Sequence, residues 1–209
     1  AVASLDVLSG GRVLLGIGAG WNEEEMEDHG VDPARRFGRM REGVEAMRAL
    51  WTQEEAAYAG DHVAFPPTWS WPKPSQPGGP PVLLGGNGKR VLERVVRYAD
   101  AWYPNFLGDD DKMIARLEKL RALGEEHGRG ALPTTLQVAP TEPERLERLA
   151  AAGVTRIVWY LPPRDAEAIE RSLTGTDYQA LGGVVGSLRN RATEEYDHLP
   201  DDAHRATMQ

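Results

Sequence analysis

The chain has 209 residues, enough for one large domain or two small ones, and its 41% apolar and 27% charged residues exclude a wholly disordered or fibrous protein. It contains no cysteine, which excludes disulfide scaffolds, thiolate zinc sites and cysteine nucleophiles. With 24 basic and 32 acidic side chains its net charge is -8, the wrong sign for binding nucleic acid through a basic surface.

The N-terminal segment AVASLDVLSGG lacks the charged and apolar parts of a signal peptide. No apolar run in the chain approaches the ~20 residues of a membrane-spanning helix. These features predict a soluble, cytoplasmic protein without a membrane or nucleic-acid partner. The same segment is typical of a helix end and a turn that leads into a strand, so the chain is expected to start within a domain.

A strand and two helices are predicted next. The run RVLLGIGAG predicts a buried strand over 12–17 followed by a glycine loop. Asn22 is expected to cap a short acidic helix that ends before Gly30. A longer helix is predicted after Asp32 and Pro33, because apolar residues recur every three or four positions along one face. These residues are Phe37, Met40, Val44, Met47 and Trp51.

An irregular, proline-rich insertion is predicted over 56–81, with Gly60 and Asp61 as a hairpin turn. Its length exceeds that of ordinary connections between elements. Such loops often act as lids or binding loops, and a packed structural loop fits this sequence equally well.

From Pro81 onward strands and helices alternate. The strand segments VLLGG, AWYP, TLQVA and TRIVWYL are each followed by a helical pattern, which makes five strands in all. This alternation predicts an α/β fold with parallel strands and right-handed crossovers. Periodicity leaves two architectures open, a doubly wound sheet of five strands and a (β/α)8 barrel with three units fewer. We expect one domain over 1–189 and a polar, loosely ordered tail over 190–209.

Both glycine-rich segments fail the common nucleotide motifs. In GIGAGW the third glycine of G-x-G-x-x-G would fall at Trp21 or Glu23. In GGNGKR a phosphate-binding P-loop would need glycine in place of Leu83 and Ser or Thr in place of Arg90. Neither a dinucleotide fingerprint nor nucleotide hydrolysis is therefore supported.

A simpler phosphate site remains at Gly85–Gly88, which lies between a strand and the start of a helix. Free backbone amides and the helix dipole attract phosphate there, and Lys89 and Arg90 add positive charge. Glycine turns of this kind are equally common in proteins that bind no phosphate. The five histidines share no ligand spacing, so no metal site is predicted. A serine triad is not supported either, because no G-x-S-x-G occurs.

Two parts of the chain are informative together. They are LDVLSGGRVLLGIGAGWNEEEM followed by RRFGRMREGVEAMRALWT, and later PKPSQPGGPPVLLGGNGKRVLERVVRYADAWYP. Together they resemble the luciferase-like oxidoreductases. The likeness runs from residue 1 to about residue 161. It is to the branch that uses the deazaflavin coenzyme F-420, whose relatives use reduced flavin mononucleotide (FMN). The resemblance implies a (β/α)8 TIM barrel in which the GIGAG segment ends the fourth strand and the later segments form the fifth to eighth.

Strands one to three of that barrel have no counterpart in this sequence. The resemblance therefore implies an N-terminally truncated chain, either a fragment or a gene with a misassigned start. A barrel without these strands would expose two long edges and an unfilled interior. A partner or a second copy of the chain, as in a homodimer, would cover them, and the oligomeric state stays open.

The resemblance also implies a set of cofactor-binding positions at the carboxyl ends of the strands. Arg39 matches a position that contacts cofactor phosphate, with Glu42 able to orient it through an ion pair. Trp21 and Trp102 are candidates for the pocket mouth, although aromatic residues at strand ends more often serve ordinary packing. The positions expected to bind the cofactor are Gly18, Ala19, Gly20, Arg39, Gly85, Gly86, Asn87 and Gly88.

The activity implied is hydride transfer between coenzyme F-420 and a small organic substrate, with the cofactor carrying the chemistry. Two alternatives stay open: an FMN-dependent monooxygenase that inserts one oxygen atom, and a non-catalytic half-barrel that serves as a binding module. No catalytic acid or base is predicted, because nothing in the sequence gives the direction of His29 or Glu23. The substrate is not predicted.

Overall fold

The computed structural model describes residues 1–159. The helical pattern predicted after TRIVWYL, the last two residues of that strand segment and the tail over 190–209 lie outside the described residues. In chain order the elements are α1 (Val2–Leu8), β1 (Leu15–Ile17), α2 (Glu23–Asp28), a 3-10 helix (Pro33–Arg35), α3 (Arg36–Thr52), β2 (Glu55–Ala59), β3 (Ala64–Trp69), β4 (Val82–Gly85), α4 (Val91–Tyr98), β5 (Ala101–Tyr103), α5 (Asp110–Glu126), β6 (Thr134–Gln137), α6 (Pro143–Ala152) and β7 (Val154–Val158).

Five of the strands form one sheet in the order β1-β4-β5-β6-β7. The pairings of β1 with β4, β5 with β6 and β6 with β7 are parallel. The predicted α/β class with a five-stranded parallel sheet is therefore confirmed. None of the helices within residues 1–159 has the length and apolar character needed to cross a membrane.

The chain divides into two compact units. Among the described residues, the first comprises 1–85 and 97–100, and the second comprises 86–96 and 101–159. In the first unit α3 packs on β2. Val44 and Trp51 are buried on α3, which confirms the predicted apolar face of that helix. Asn22 accepts a hydrogen bond from the Glu25 amide at 3.3 Å, which confirms the predicted cap of α2.

Strand β1 is shorter than predicted, because residues 12–14 lie in an irregular segment before it. The Arg12 amide donates to Ser9 Oγ at 3.2 Å, and the Val13 amide donates to a carboxylate oxygen of Asp6 at 3.4 Å. These side chains take the donors that a strand would use for the sheet.

The insertion begins with an antiparallel hairpin of β2 and β3, where an irregular segment was expected. The Gly60 amide donates to the Val63 carbonyl at 2.9 Å and closes the turn. The hairpin turn at Gly60 and Asp61 is therefore confirmed. Beyond β3, the segment up to β4 contains no regular secondary structure.

In the second unit an ion-pair network joins α5 to α6. Arg145 donates two hydrogen bonds to the carboxylate of Asp110, at 2.8 and 3.0 Å. The Asp110 side chain is only 10% exposed, and Arg148 lies 3.7 Å from the same carboxylate. The hydrogen bonds from Arg145 hold the pKa of Asp110 below its ordinary value.

We expect Asp110→Asn to lower the free energy of unfolding at neutral pH and to have little effect in strong acid. Because folding lowers the pKa of Asp110, its contribution is present above the unfolded-state pKa of about 3.9 and is lost as the pH falls through the lower folded-state value. Urea unfolding at a series of pH values measures this difference. Asp111→Asn is the control, because Asp111 is 86% exposed on the same helical turn. If Asp110→Asn lowers the free energy of unfolding by the same amount down to pH 2, the ion-pair explanation is contradicted.

Candidate functional site

Gly18, Ala19 and Arg39 line a cavity of about 330 Å³ in the first unit, where β1 ends and α3 begins. The structure therefore brings three of the predicted cofactor-binding residues together. Gly20 is not part of the cavity wall; a Cβ there would lie 2.7 Å from the Met26 Cε atom, and its φ is +80°. The other lining residues are mostly apolar: Ile17, Met26, Val31, Arg36, Met40, Gly43, Val44 and Met47.

The predicted ion pair between Arg39 and Glu42 is wrong. Glu42 is 2% exposed and pairs with Arg41 at 3.2 Å. It also accepts hydrogen bonds from the amides of His62 at 2.7 Å and Val63 at 3.1 Å, within the hairpin turn. These buried amides need an acceptor, and Glu42 on the hairpin-facing side of α3 provides one. Although burial raises the pKa of Glu42, these hydrogen bonds lower it below its ordinary value overall.

Two cationic side chains belong to the wall of this cavity. Arg39 is exposed and makes no ion pair within residues 1–159. Arg36 donates through Nη1 to Glu23 at 3.2 Å and to the Pro33 carbonyl at 2.6 Å. Its Nε atom is buried and has no hydrogen-bond partner among the described residues. A buried donor without an acceptor beside an unpaired cation suits a cavity that receives an anion.

Sequence reasoning missed Arg36, and the only signal was its place beside Arg35 at the start of the predicted helix. Glu23 forms an ion pair with Arg36, and His29 is an exposed residue at the end of α2. Trp21 is 89% exposed on the loop after β1. None of these contacts assigns a catalytic acid or base.

The second unit contains the glycine loop Gly86–Gly88, which leads into α4. Its three carbonyl oxygens all accept hydrogen bonds from side chains of the same unit. The Trp102 indole Nε1 donates to the Gly86 carbonyl at 3.0 Å. Arg116 donates through Nη1 to the Asn87 carbonyl at 3.1 Å and through Nη2 to the Gly88 carbonyl at 3.4 Å.

The Asn87 side chain fixes the loop further. Its Nδ2 donates to the Asn105 carbonyl at 2.8 Å, and its Oδ1 accepts from the Asn105 amide at 3.2 Å. The Gly86 amide donates to the Tyr103 carbonyl at 3.4 Å. The loop is thus held from β5, from the segment after β5 and from α5, all in the second unit.

The amides of this loop are arranged differently from its carbonyls. Within residues 1–159 the backbone amides of residues 87–90 have no hydrogen-bond acceptor. In a trans peptide the N–H points away from the preceding carbonyl. Since the carbonyls of residues 86–88 all face their donors, the amides of residues 87–89 face the other way, at the start of α4.

The space around the loop is open. A Cβ added at Gly86 or Gly88 would meet nothing within 4 Å, and Gly86 has a φ of +108°, a conformation that favours glycine. Lys89 and Arg90 are exposed next to the loop. Successive unpaired amides, a helix N-terminus and nearby cations form a cradle that fits a phosphate group. Gly85, also predicted as a site residue, is the last residue of β4 in the first unit.

Trp102 is 0% exposed, so it packs within the second unit and does not line a pocket mouth. The Arg116 guanidinium lies over its ring, 5.0 Å from the centroid. Sequence reasoning missed Arg116, since one arginine in an amphipathic helix carries no signal of contact with a loop 28 residues earlier. Within the described part of the chain, no cluster of three histidine, aspartate or glutamate side chains is arranged to hold a metal ion.

A family model described as luciferase-like monooxygenase matches residues 1–208. Curated relatives include an uncharacterised protein of Mycobacterium tuberculosis strain H37Rv, 45% identical over 171 residues, with 80% of this chain and 59% of the relative covered. A phthiodiolone/phenolphthiodiolone dimycocerosates ketoreductase of Mycobacterium kansasii is 28% identical over 216 residues, with 92% of this chain and 55% of the relative covered. The chain therefore spans less than two thirds of the length of these relatives.

Solved structures with the same fold include an F-420-dependent secondary alcohol dehydrogenase in complex with an F-420-acetone adduct. Its TM-score is 0.70 at 16% identity, with 88% of this chain and 73% of that chain covered. A coenzyme F-420-dependent tetrahydromethanopterin reductase from Methanopyrus kandleri has a TM-score of 0.63 at 16% identity, with 84% of this chain and 76% of that chain covered. A monooxygenase from Streptomyces bottropensis has a TM-score of 0.59 at 20% identity, with 92% of this chain and 55% of that chain covered. At these identities the likeness shows the fold alone.

Proposed function

Because the chain belongs to the luciferase-like monooxygenase family, we propose that it is an oxidoreductase that binds coenzyme F-420 and transfers hydride between it and a small organic substrate. We also propose that β1, β4, β5, β6 and β7 correspond to the fourth to eighth strands of a (β/α)8 barrel. The parallel pairings within each unit and the barrel-type family support this assignment.

The observation that carries the proposal is the loop at Gly86–Gly88: its carbonyls accept hydrogen bonds from side chains, whereas the amides of residues 87–90 have no acceptor among the described residues. Both coenzyme F-420 and FMN carry a phosphate. A phosphate oxygen accepts hydrogen bonds from backbone amides at a helix N-terminus, where the helix dipole also favours negative charge. The amides of Asn87, Gly88 and Lys89 are therefore proposed to hold the cofactor phosphate, and Gly86, whose own amide donates to the Tyr103 carbonyl, is proposed to leave room for it.

In the first unit Gly18, Ala19 and Arg39 are proposed as further cofactor contacts. The cavity that they line supports this role, because within residues 1–159 Arg39 makes no ion pair and the buried Nε–H of Arg36 has no acceptor. The small side chains of Gly18 and Ala19 leave room for a flat ring. Gly20 and Gly85 keep their place as predicted cofactor-binding positions on the resemblance alone.

When bound, the deazaflavin supplies hydride transfer. The protein's part is to hold the phosphate, orient the ring and receive the substrate. Two of the similar proteins are named as a ketoreductase and a secondary alcohol dehydrogenase. These names support a substrate that interconverts between a carbonyl compound and a secondary alcohol.

Titration of the 209-residue chain with coenzyme F-420, followed by cofactor fluorescence, tests the proposal. We expect saturable binding. The phosphate-free deazariboflavin is the control ligand, because it has the same ring and lacks the phosphate together with the tail that the phosphate carries. Its affinity is expected to be at least about tenfold lower, the loss of a few charge-assisted hydrogen bonds. Equal affinity for both ligands would contradict the role of the loop.

A second candidate function is an FMN-dependent monooxygenase that inserts one oxygen atom into its substrate. The description of the matching family and the solved monooxygenase of Streptomyces bottropensis favour it. Parallel titrations with FMN and riboflavin decide between the two, since this pair differs only by the phosphate. Saturable binding of FMN without binding of F-420 would establish the second candidate. Binding of neither cofactor would favour a non-catalytic binding module.

A further inference from the structure

Arg116 is placed on α5 so that its planar guanidinium reaches two consecutive carbonyls of the glycine loop, those of Asn87 and Gly88. The guanidinium also lies over the Trp102 ring, and Trp102 in turn holds the Gly86 carbonyl. Arg116 and Trp102 thus form one layer on the side of the loop opposite to its unpaired amides.

Among the described residues no carboxylate forms an ion pair with Arg116, whose Nε atom is buried there without a partner. Burial lowers its pKa, and the charge of Glu93 partly opposes this. A guanidinium stays protonated under these conditions because its ordinary pKa lies far above neutrality. The loop therefore lies against a partly buried positive charge.

Two consequences follow for an anion bound at the loop. By holding the Asn87 carbonyl, Arg116 orients the Gly88 amide away from itself, and it shares the Gly88 carbonyl with the Val91 amide, which donates at 3.2 Å and also orients the Lys89 amide. Its charge also polarises both peptide units in the sense that makes their N–H groups better donors. Arg116 acts in both ways without touching the anion.

We propose that Arg116 is a positioning residue that sets the affinity of the loop for a phosphate-bearing ligand. This inference rests on the proposed function, because it deepens the role given there to the loop. It differs from a purely structural role in one respect: loss of Arg116 should weaken ligand binding much more than it weakens the fold.

The test compares Arg116→Met with Arg121→Met in the full chain. Arg121 lies on the same helix and is exposed, and it donates one hydrogen bond of 3.4 Å to the Ala152 carbonyl, away from the loop. Both changes remove one positive charge and keep an unbranched side chain. We expect Arg116→Met to bind coenzyme F-420 at least about tenfold more weakly, with Arg121→Met within about twofold of the wild type. Arg116→Lys keeps the positive charge but lacks the planar guanidinium that reaches both carbonyls. Its affinity for coenzyme F-420 should lie between those of the other two variants.

Urea unfolding of each variant separates affinity from stability. A loss of affinity in Arg116→Met with a folded protein and partial rescue by Arg116→Lys supports the positioning role. An affinity within twofold of the wild type overturns it. If Arg116→Met does not fold, Arg116→Lys alone decides: affinity equal to the wild type overturns the inference, and weaker binding supports it.

Inorganic phosphate serves as a second probe that does not depend on the cofactor. Titration followed by the amide ¹⁵N and ¹H shifts of Gly88 reports directly on the loop. If neither F-420 nor FMN binds and phosphate shifts this resonance in the wild type and not in Arg116→Met, the proposed function fails and the inference stands. If the wild type binds no cofactor and shows no phosphate shift, both fail.

Discussion

Replacing Gly86 by aspartate is expected to reduce cofactor affinity by at least about a hundredfold. The residue has a φ of +108°, where a side chain is strained, and the added carboxylate would stand close to the unpaired amides that we propose hold the phosphate. A carboxylate there takes those donors for itself and repels the anion. Since a Cβ at this position meets nothing within 4 Å, no steric clash is added. Fluorescence titration with coenzyme F-420 and FMN measures the loss.

Gly153→Asp is the matched control for this change. Gly153 also lies in the second unit, with a φ of +121° and open space for a Cβ, but it lies between α6 and β7. Its substitution introduces similar strain and the same charge away from the loop, so affinity should stay within about twofold of the wild type. Gly86→Ala separates strain from charge and should lose less affinity than Gly86→Asp. Equal losses in Gly86→Asp and Gly153→Asp would mean that the loop has no specific role.

Asp6→Ala is expected to lower the free energy of unfolding by about 3 kcal/mol, the cost of leaving buried donors without an acceptor. Asp6 is 0% exposed on α1, and its carboxylate accepts from Gln76 Nε2 at 2.7 Å and from the Gln76 amide at 3.0 Å. The Val13 amide is a third donor, at 3.4 Å. Gln76 is 8% exposed, so water cannot readily replace the lost acceptor. Urea unfolding followed by circular dichroism measures the change.

Asp28→Ala is the control for Asp6→Ala. Asp28 is an exposed aspartate at the end of α2 in the same unit, so removal of its carboxylate should change stability by less than about 0.5 kcal/mol. Asp6→Asn keeps one acceptor oxygen and the shape of the side chain. It should therefore lower the free energy of unfolding by less than Asp6→Ala does. Similar small effects of all three changes would show that the Asp6 hydrogen bonds do not support the turn into β1.

Local patterns predicted most of the secondary structure. The cap at Asn22, the apolar face that buries Val44 and Trp51, and the turn at Gly60 are signals within a few residues of one another, and each is confirmed. The alternation of strands and helices is also readable along the chain, and it predicted a parallel five-stranded sheet. The length of β1 could not be predicted in this way. Asp6 and Ser9 take the amides of residues 12 and 13, and this competition appears only when the chain is folded.

The candidate site was predictable only in part. Glycines after a strand indicated the loop at Gly86–Gly88, and the resemblance indicated Gly18, Ala19 and Arg39. The partner of Glu42 was predicted wrongly, because spacing along a helix favours Arg39 and takes no account of the buried amides of the hairpin. Asp6, Arg36 and Arg116 were not singled out, since each is defined by contacts with atoms of other elements.

By itself the sequence determined the class of fold, the order of its elements and the position of a glycine loop before a helix, because these depend on neighbours along the chain. Only the tertiary structure decided which side of that loop carries amides that have no acceptor within residues 1–159. Trp102 and Arg116 lie 16 to 29 residues beyond the carbonyls that they bind, and folding brings them to one side of the loop. The planarity of the trans peptide then turns the amides of residues 87–89 to the other side, where an anion can reach them.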